Sequence, residues 1–317
     1  MFRQLNKWWK NCPNLVIRNK FANNKMIVNE ISLFHLPDGR SVKKDGKSGV
    51  ISISPIKSIK KENYNIYTEQ YSDKVSFFVK FRIKFQDLQA NNFKKNPTIT
   101  SRLISHFLTY VPRVDSENGS FLDIGCNTGV FLTKLPDTWK KFGVEINKRA
   151  FNEANKYKNI SVFNSSIEDF NPRIKFNYIR ASHVIEHLDD SDLFFRKIKQ
   201  ITKPKANLLI YTPNADSISL NILKKYWAGF SDQTHVKIYN LSNLSEIAKT
   251  KGFIVKESGT YPMGITAGSL VNYLKKFGIN NFSIVLFTIL FILIYPLTLV
   301  ADKFKKGSAL YLLLEKK

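Results

Sequence analysis

Between residues 121 and 212 the chain alternates short apolar runs, at 121–124, 142–146, 160–163, 176–182 and 206–212, with stretches mostly long enough for a helix. That alternation constrains the fold more than any other feature. Short apolar runs separated by helices indicate a parallel sheet covered by helices on both faces. NLSNLSEIAKTKG then reads as a helix closed by Gly252 as a left-handed C-terminal residue. FIVKES supplies a sixth strand and SALYLLL, 308–314, a seventh. The expected fold is α/β, a doubly wound and mostly parallel sheet of seven strands. Ahead of it, LPDGRS and KDGKSG mark turns between short strands, so residues 1–60 are expected to form a small β-rich segment. Residues 61–96, aromatic and basic, read as a helical linker to the main domain, 97–317. Pro97 and Thr98 open a helix whose buried face carries Leu103, Ile104, Phe107 and Leu108.

Ligands of such sheets bind at the carboxyl ends of the strands, at the switch in strand order. The first strand runs into FLDIGCNTGVFL, residues 121–132. A dinucleotide-binding loop needs G-x-G-x-x-G, so that bare backbone can approach a pyrophosphate. Here Gly125 and Gly129 are present, Asn127 takes the middle place and Val130 replaces the third glycine. Asn tolerates the left-handed region better than most residues, so the turn survives while the fingerprint fails. Asp123, just ahead of the loop, would repel a pyrophosphate and attract a cation. Glu145, twenty-two residues further on at the tip of the second strand, can accept hydrogen bonds from both hydroxyls of a ribose. The pair asks for a nucleoside cofactor with a positively charged end.

The 49 Lys and Arg against 25 Asp and Glu leave a net charge of +24, spread in pairs such as Lys140–Lys141 and Lys305–Lys306. Either these lysines are simply solvated, or they favour an anionic partner. No basic-aromatic stripe or RNA-binding motif is present, so no nucleic acid is expected, a basic RNA-binding enzyme or non-catalytic module being the remote alternative. Cys12 and Cys126 form no disulfide framework, which points to a reducing cytoplasm. Lys7, Trp8, Trp9 and Lys10 interrupt any apolar core of a secretion signal.

In this order, LDIGCNTG, GVEIN, ASHVIEHL, YTPN and DQTHVKIYNLSNLSEIAKTKGF resemble class I S-adenosylmethionine-dependent methyltransferases. The branch they look most like includes quinone-pathway and cell-surface polysaccharide methyltransferases. The resemblance, over roughly 97–317, implies a Rossmann-like sheet and S-adenosyl-L-methionine as cofactor, whose ammonium and sulfonium suit Asp123. It implies that Asp123, Gly125 and Gly129 shape the methionine pocket, together with Cys126 and Asn127 of the same loop. Glu145, followed by Ile146, would hold the ribose. NSSIED would meet the adenine, with Ser166 where the family often has Asp and with Ile167 packed on the ring. Ser182, at the end of the fourth strand, would complete the cradle.

HVIEH, 183–187, also matches the H-x-x-E-H zinc pattern. That chemistry needs both His on one helix face plus a third ligand, whereas this segment leaves a strand. Quinone-pathway relatives resemble E-x-x-E-H here, a motif able to hold a divalent metal; with His183 in place of the first Glu, no metal is expected. Methyl transfer to a hydroxyl needs a proton acceptor, and neutral His is the best one near pH 7. His183, His187 and His235 are the candidates, His187 slightly ahead of His183.

The expected function is O-methylation of a sugar in a surface-glycan precursor or of a membrane lipid, a prenylated quinone being the alternative acceptor. Phe282 to Val300, FSIVLFTILFILIYPLTLV, carries no charge over nineteen residues, about 28 Å of helix. It falls between the sixth and seventh strands, which must pair in one sheet, so it cannot end across a membrane. Pro296 is expected to break it. The expectation is a monotopic helix or bent hairpin dipping into the inner face of the cell membrane. Lys275, Lys276, Lys303, Lys305 and Lys306 would flank it, and the acceptor would be a small-molecule or lipid-linked glycan.

Overall fold

The computed structural model describes residues 30–55, 90, 118–261, 264–278 and 284–317. The linker 61–96, apart from the buried Ala90, and the helix expected from Pro97 lie outside the described residues.

The apolar runs form the strands they predict. β1 (Glu30–His35), β2 (Ser41–Asp45) and β3 (Ile51–Ser54) come first. β4 (Gly119–Ile124), β5 (Trp139–Val144), β6 (Ser161–Phe163), β7 (Phe176–Ser182) and β8 (Thr202–Pro213) follow. β9 (Lys237–Ile238), β10 (Phe253–Tyr261) and β11 (Ala309–Lys316) complete the set. The large sheet has the order β10-β11-β8-β7-β4-β5-β6. Pairs β4–β5, β4–β7, β5–β6 and β7–β8 are parallel, while β11 runs antiparallel to both β10 and β8. This is the expected doubly wound sheet. From β4 the chain moves outward to β5 and β6, then crosses back to β7 on β4's other side, so the switch in strand order lies between β4 and β7.

The helices are α1 (Val130–Lys134), α2 (Lys148–Ala154), α3 (Ser191–Ile201), α4 (Ile218–Leu223), α5 (Leu241–Thr250), α6 (Ile265–Lys275) and α7 (Ile284–Lys303). α3 starts where the Asp190 side chain accepts the Leu193 N–H at 2.9 Å. It turns Phe194, Phe195, Ile198 and Ile201 into the core shared by Leu122, Ile179, Leu208 and Leu312. α5 opens on a reciprocal cap between Asn240 and Asn243, and Gly252 follows its end at φ 90°, in the left-handed region as expected.

The expected small N-terminal β-rich segment is present, and the main domain completes it: β1-β2-β3-β9 form one antiparallel sheet, its last strand taken from the main domain. Val42, Ile51 and Ile53 share a core with Trp227, Phe230 and Ile238. Pro296 does not break the apolar stretch, because α7 passes through it as one helix. A proline costs a helix one hydrogen bond and a steric clash, about 3 kcal/mol, which a long helix packed on its neighbours can offset. Among the described residues no helix is long and apolar enough to cross a membrane.

Candidate active site

β4 ends at Ile124 and the chain turns at once. The N–H groups of Gly125 and Cys126 both donate to the Val144 carbonyl, at 2.8 and 3.1 Å. Gly125 has φ +67°, and a Cβ there would stand 2.8 Å from Val184 Cγ2. Gly129 has φ +74°, with Ile160 Cδ1 only 2.7 Å from the place of a Cβ. Asn127 takes the left-handed conformation at φ 51°. The loop is therefore bare backbone held against the tip of β5.

Glu145 ties that loop to β5. Its Oε2 accepts the Asn127 N–H at 2.9 Å and its Oε1 the Asn147 N–H at 2.7 Å. Burial pushes this carboxyl above its ordinary value, and the N–H groups of Asn147 and Asn127 pull it back. A carboxylate offers about four acceptor sites, so each oxygen keeps one to spare, the number that two ribose hydroxyls would need. Asn164 fixes the backbone beneath, its Nδ2 donating to the carbonyls of Glu145 (2.8 Å) and the half-buried Ile146 (3.1 Å).

Asp123 corrects the reasoning from charge. It does attract a cation, but the cation is Arg180 of the chain itself, 2.8 Å away with both side chains buried. Burial raises the Asp123 carboxyl and the Arg180 charge opposes it. Arg180 also lies 4.1 Å over the Phe131 ring, so the pair props the loop from below. Cys126 is buried against Gly143, and burial lifts its thiol well above the usual range; only its backbone belongs to the loop. Ser166 is engaged locally, its hydroxyl donating to Asp169 at 2.9 Å and accepting the Asp169 N–H at 3.1 Å. Ile167 is a core residue, 4% exposed, clustered with Phe170 and Val144. Ser182 is half-buried at the end of β7.

The three predicted His converge just beyond. Glu186, fully buried, is their centre. His183 Nδ1 donates to Glu186 Oε1 at 3.0 Å, and His235 Nε2 stands 4.0 Å from the same oxygen. Thr212, from the adjacent end of β8, donates to Glu186 Oε2 at 3.0 Å. Burial opposes ionisation of Glu186, but the bond from His183 and the charge that the surrounding imidazoles carry when protonated prevail and bring it down to about 2. His183 takes φ 56°, and only Ile185–His187 form a single helical turn. The two His of HVIEH thus do not share a helix face, which removes the inverted zinc-protease reading. Glu186, His187 and His235 nevertheless bring ligand atoms within 4.8 Å of one another, so these three residues could hold a divalent ion.

Hydrogen bonds assign the ring protons. Thr234 Oγ1 gives its only proton to Asp232 Oδ1 at 2.6 Å, so it accepts from His187 Nδ1 at 2.6 Å. His235 Nδ1 donates to the Gly229 carbonyl at 2.7 Å. In both neutral rings the lone pair is then on Nε2. Burial, the leading cause, lowers the pKa of His235 and favours its neutral form.

The segment 228–236 that supplies these partners is clamped from two sides. Arg40, buried between β1 and β2, donates to the carbonyls of Phe230 and, at 3.1 Å, Asp232. From α6, Ser269 Oγ accepts the Ala228 N–H at 2.8 Å, and Asn272 Nδ2 donates to Ser231 Oγ at 3.0 Å. Reasoning from the sequence missed Arg40, Arg180, Thr212, Asp232 and Thr234 as contributors. Arg180 had a signal, being the one charge in the strand FNYIRAS; Arg40 had none.

The residues present fit S-adenosyl-L-methionine: a turn too tight for a Cβ, two spare acceptor sites at the β5 tip, and the crevice at the switch between β4 and β7. No curated protein matches the chain. Among solved structures, magnesium protoporphyrin IX methyltransferase of Synechocystis, with bound S-adenosylhomocysteine, is 12% identical over 81% of this chain and 95% of that one, TM-score 0.48. A methyltransferase of Thermotoga maritima is 16% identical over 81% and 97%, TM-score 0.46. The plantazolicin methyltransferase BpumL is 17% identical over 81% and 96%, TM-score 0.46. The sequence profile described as "Methyltransferase domain" matches residues 96–258, just over half of the chain. That range takes in the 125–129 loop, Glu145 and the His cluster, and this chain belongs to the methyltransferase-domain family and is an S-adenosylmethionine-dependent methyltransferase.

Proposed function

We propose that the enzyme methylates a hydroxyl oxygen, on a sugar of a surface-glycan precursor or of a membrane lipid, with His187 as the base. The observation that carries this reading is the chain Asp232–Thr234–His187, which leaves the His187 lone pair on Nε2 beside a buried, ionised Glu186. Held at the 125–129 loop and Glu145, S-adenosyl-L-methionine would supply a methyl group already activated on a positively charged sulfur, which would pass to the acceptor oxygen as the electron pair of the C–S bond returned to sulfur. His187 Nε2 takes the hydroxyl proton, and Asp232, through Thr234, keeps the ring in the tautomer that can do so. Alignment of oxygen and methyl contributes several kcal/mol, and removal of the proton contributes roughly 10²–10⁴ in rate.

The test is His187→Ala against a panel of glycan, lipid and prenylated-quinone hydroxyl acceptors. It should lower kcat by roughly 10²–10⁴ with S-adenosylhomocysteine affinity nearly unchanged. Undiminished turnover would remove His187 as the base, and a prenylated quinone as the best acceptor would replace the glycan. Loss of activity on chelation, restored by magnesium or zinc, would assign Glu186, His187 and His235 to a metal instead.

A further inference from the structure

α7 is amphipathic in the wrong sense for a helix facing water. Its inner side packs on β10 and α6, with Ala301 buried and Thr260 of β10 donating to Asp302 at 3.0 Å. Its outer side carries Ile289, Ile292, Leu293, Leu297 and Val300, and Phe304 lies just past its end; all six are between 48% and 73% exposed. Spacings of three and four residues place the five helical ones on a single stripe. Isolated exposed apolar residues need no explanation, but a continuous stripe along a helix marks a contact surface. Positive charge stands at both approaches. Lys275 and Lys276 end α6 ahead of it, and Lys303, Lys305 and Lys306 follow at its far end, all exposed.

We propose that this face is the enzyme's docking surface for an anionic lipid bilayer, with α7 lying flat in the interface, its apolar stripe among the acyl chains and the lysines at the headgroups. Two observations exclude a crossing. β10 and β11 pair antiparallel, with Tyr261 opposite Ala309, so the excursion between them returns to where it left. Among the described residues no helix is long and apolar enough to span. Charge argues against a second copy as occupant. Antiparallel pairing of two such helices would set Lys275 and Lys276 of one against Lys303, Lys305 and Lys306 of the other, between chains of net charge +24. Docking here would also bring the acceptor site near lipid, because α6, packed beside α7, holds the segment that orients His235. The surface does not depend on which hydroxyl is methylated.

Sedimentation of the full-length protein with vesicles tests this. Phosphatidylcholine vesicles containing phosphatidylglycerol should bind it, and phosphatidylcholine alone much less. Leu293→Asp with Leu297→Asp, and separately Lys303→Glu with Lys305→Glu, should each weaken binding to the anionic vesicles by about tenfold or more. Both variants should keep S-adenosylhomocysteine affinity within about twofold, which shows that the sheet is folded. The proposal is overturned if the parent ignores anionic vesicles, if the Asp variant binds them as well as the parent, or if neutral vesicles bind equally. It is also overturned if the stripe instead supports a concentration-dependent dimer, or is covered by another part of the chain, so that the Asp substitutions change oligomeric state or stability and leave vesicle binding unaltered.

Discussion

The two edges of the proposed active site are built on different principles. At the cofactor edge, the tips of β4 and β5 meet through backbone groups near in sequence: Asn127 and Glu145 are 18 residues apart, Asn147 and Glu145 only 2. At the acceptor edge, His187 and Thr234 are 47 residues apart, Glu186 and Thr212 26, and Arg40 and Phe230 190. The first edge is a property of one β-loop-α-β unit. The second is an assembly, with the small sheet on one side and α6 on the other. Such an assembly can change its acceptor pocket without disturbing the fold that holds the cofactor.

The sharpest way to break this comparison is Arg40→Ala. It lies in the turn between β1 and β2, yet its guanidinium donates to the buried carbonyl of Phe230 and the half-buried one of Asp232, in the segment carrying Thr234. Leaving the buried Phe230 carbonyl without its donor costs about 1–3 kcal/mol. A catalytic group displaced by about 1 Å can cost roughly 10² in rate. Turnover should therefore fall about 10²-fold while calorimetric affinity for S-adenosylhomocysteine stays nearly intact. Equal losses in both would mean that the edges are one cooperative unit.

This division also explains what could be read in the sequence. Strand positions were legible because strands covered on both faces, such as FLDI and YIRAS, must be near-continuous apolar runs. Gly125, Asn127 and Glu145 were legible because turn conformation and the β-α-β repeat fix their spacing. The His cluster was found from residue type and resemblance, but its geometry was not, since nothing local says that Thr234 will meet His187. Asp123 needs a cation, as its charge implies, but sequence distance hides that the chain supplies one: Arg180 stands opposite it in the β4–β7 register. Pro296 was over-weighted, because the local cost of a proline does not reveal the packing that offsets it.

The converse substitution is Glu145→Ala, which should spare the acceptor edge. It removes a carboxylate that accepts two backbone N–H groups and that, in the proposed site, would accept from the cofactor's ribose. Affinity for S-adenosylhomocysteine should weaken by about tenfold or more, the loss of charge-assisted hydrogen bonds. Turnover at saturating cofactor should change much less. Unchanged affinity would take Glu145 out of the cofactor site, and tighter binding of NAD than of S-adenosylhomocysteine would reverse the assignment of the whole edge.

The smallest expected effect belongs to the anchor of α7, which lies on neither edge. Asp302 Oδ1 accepts from Thr260 at 3.0 Å, while its Oδ2 is buried without a partner among the described residues. Burial raises the Asp302 carboxyl from 3.8 to about 7. The folded chain thus holds this proton more tightly than the unfolded one. The stability it contributes is complete below 3.8 and is lost as pH rises through about 7. Partial exposure and solvent screening keep that contribution small. Asp302→Asn retains an acceptor for Thr260 and removes the titration, so Tm measured from about pH 5 to about pH 8 should decline less in the variant than in the parent. Parallel profiles would show that Asp302 is already ionised and that α7 is anchored without it. A variant that also loses vesicle binding would instead couple the anchor to the apolar stripe, making the excursion between β10 and β11 a third unit that responds separately from both edges of the site.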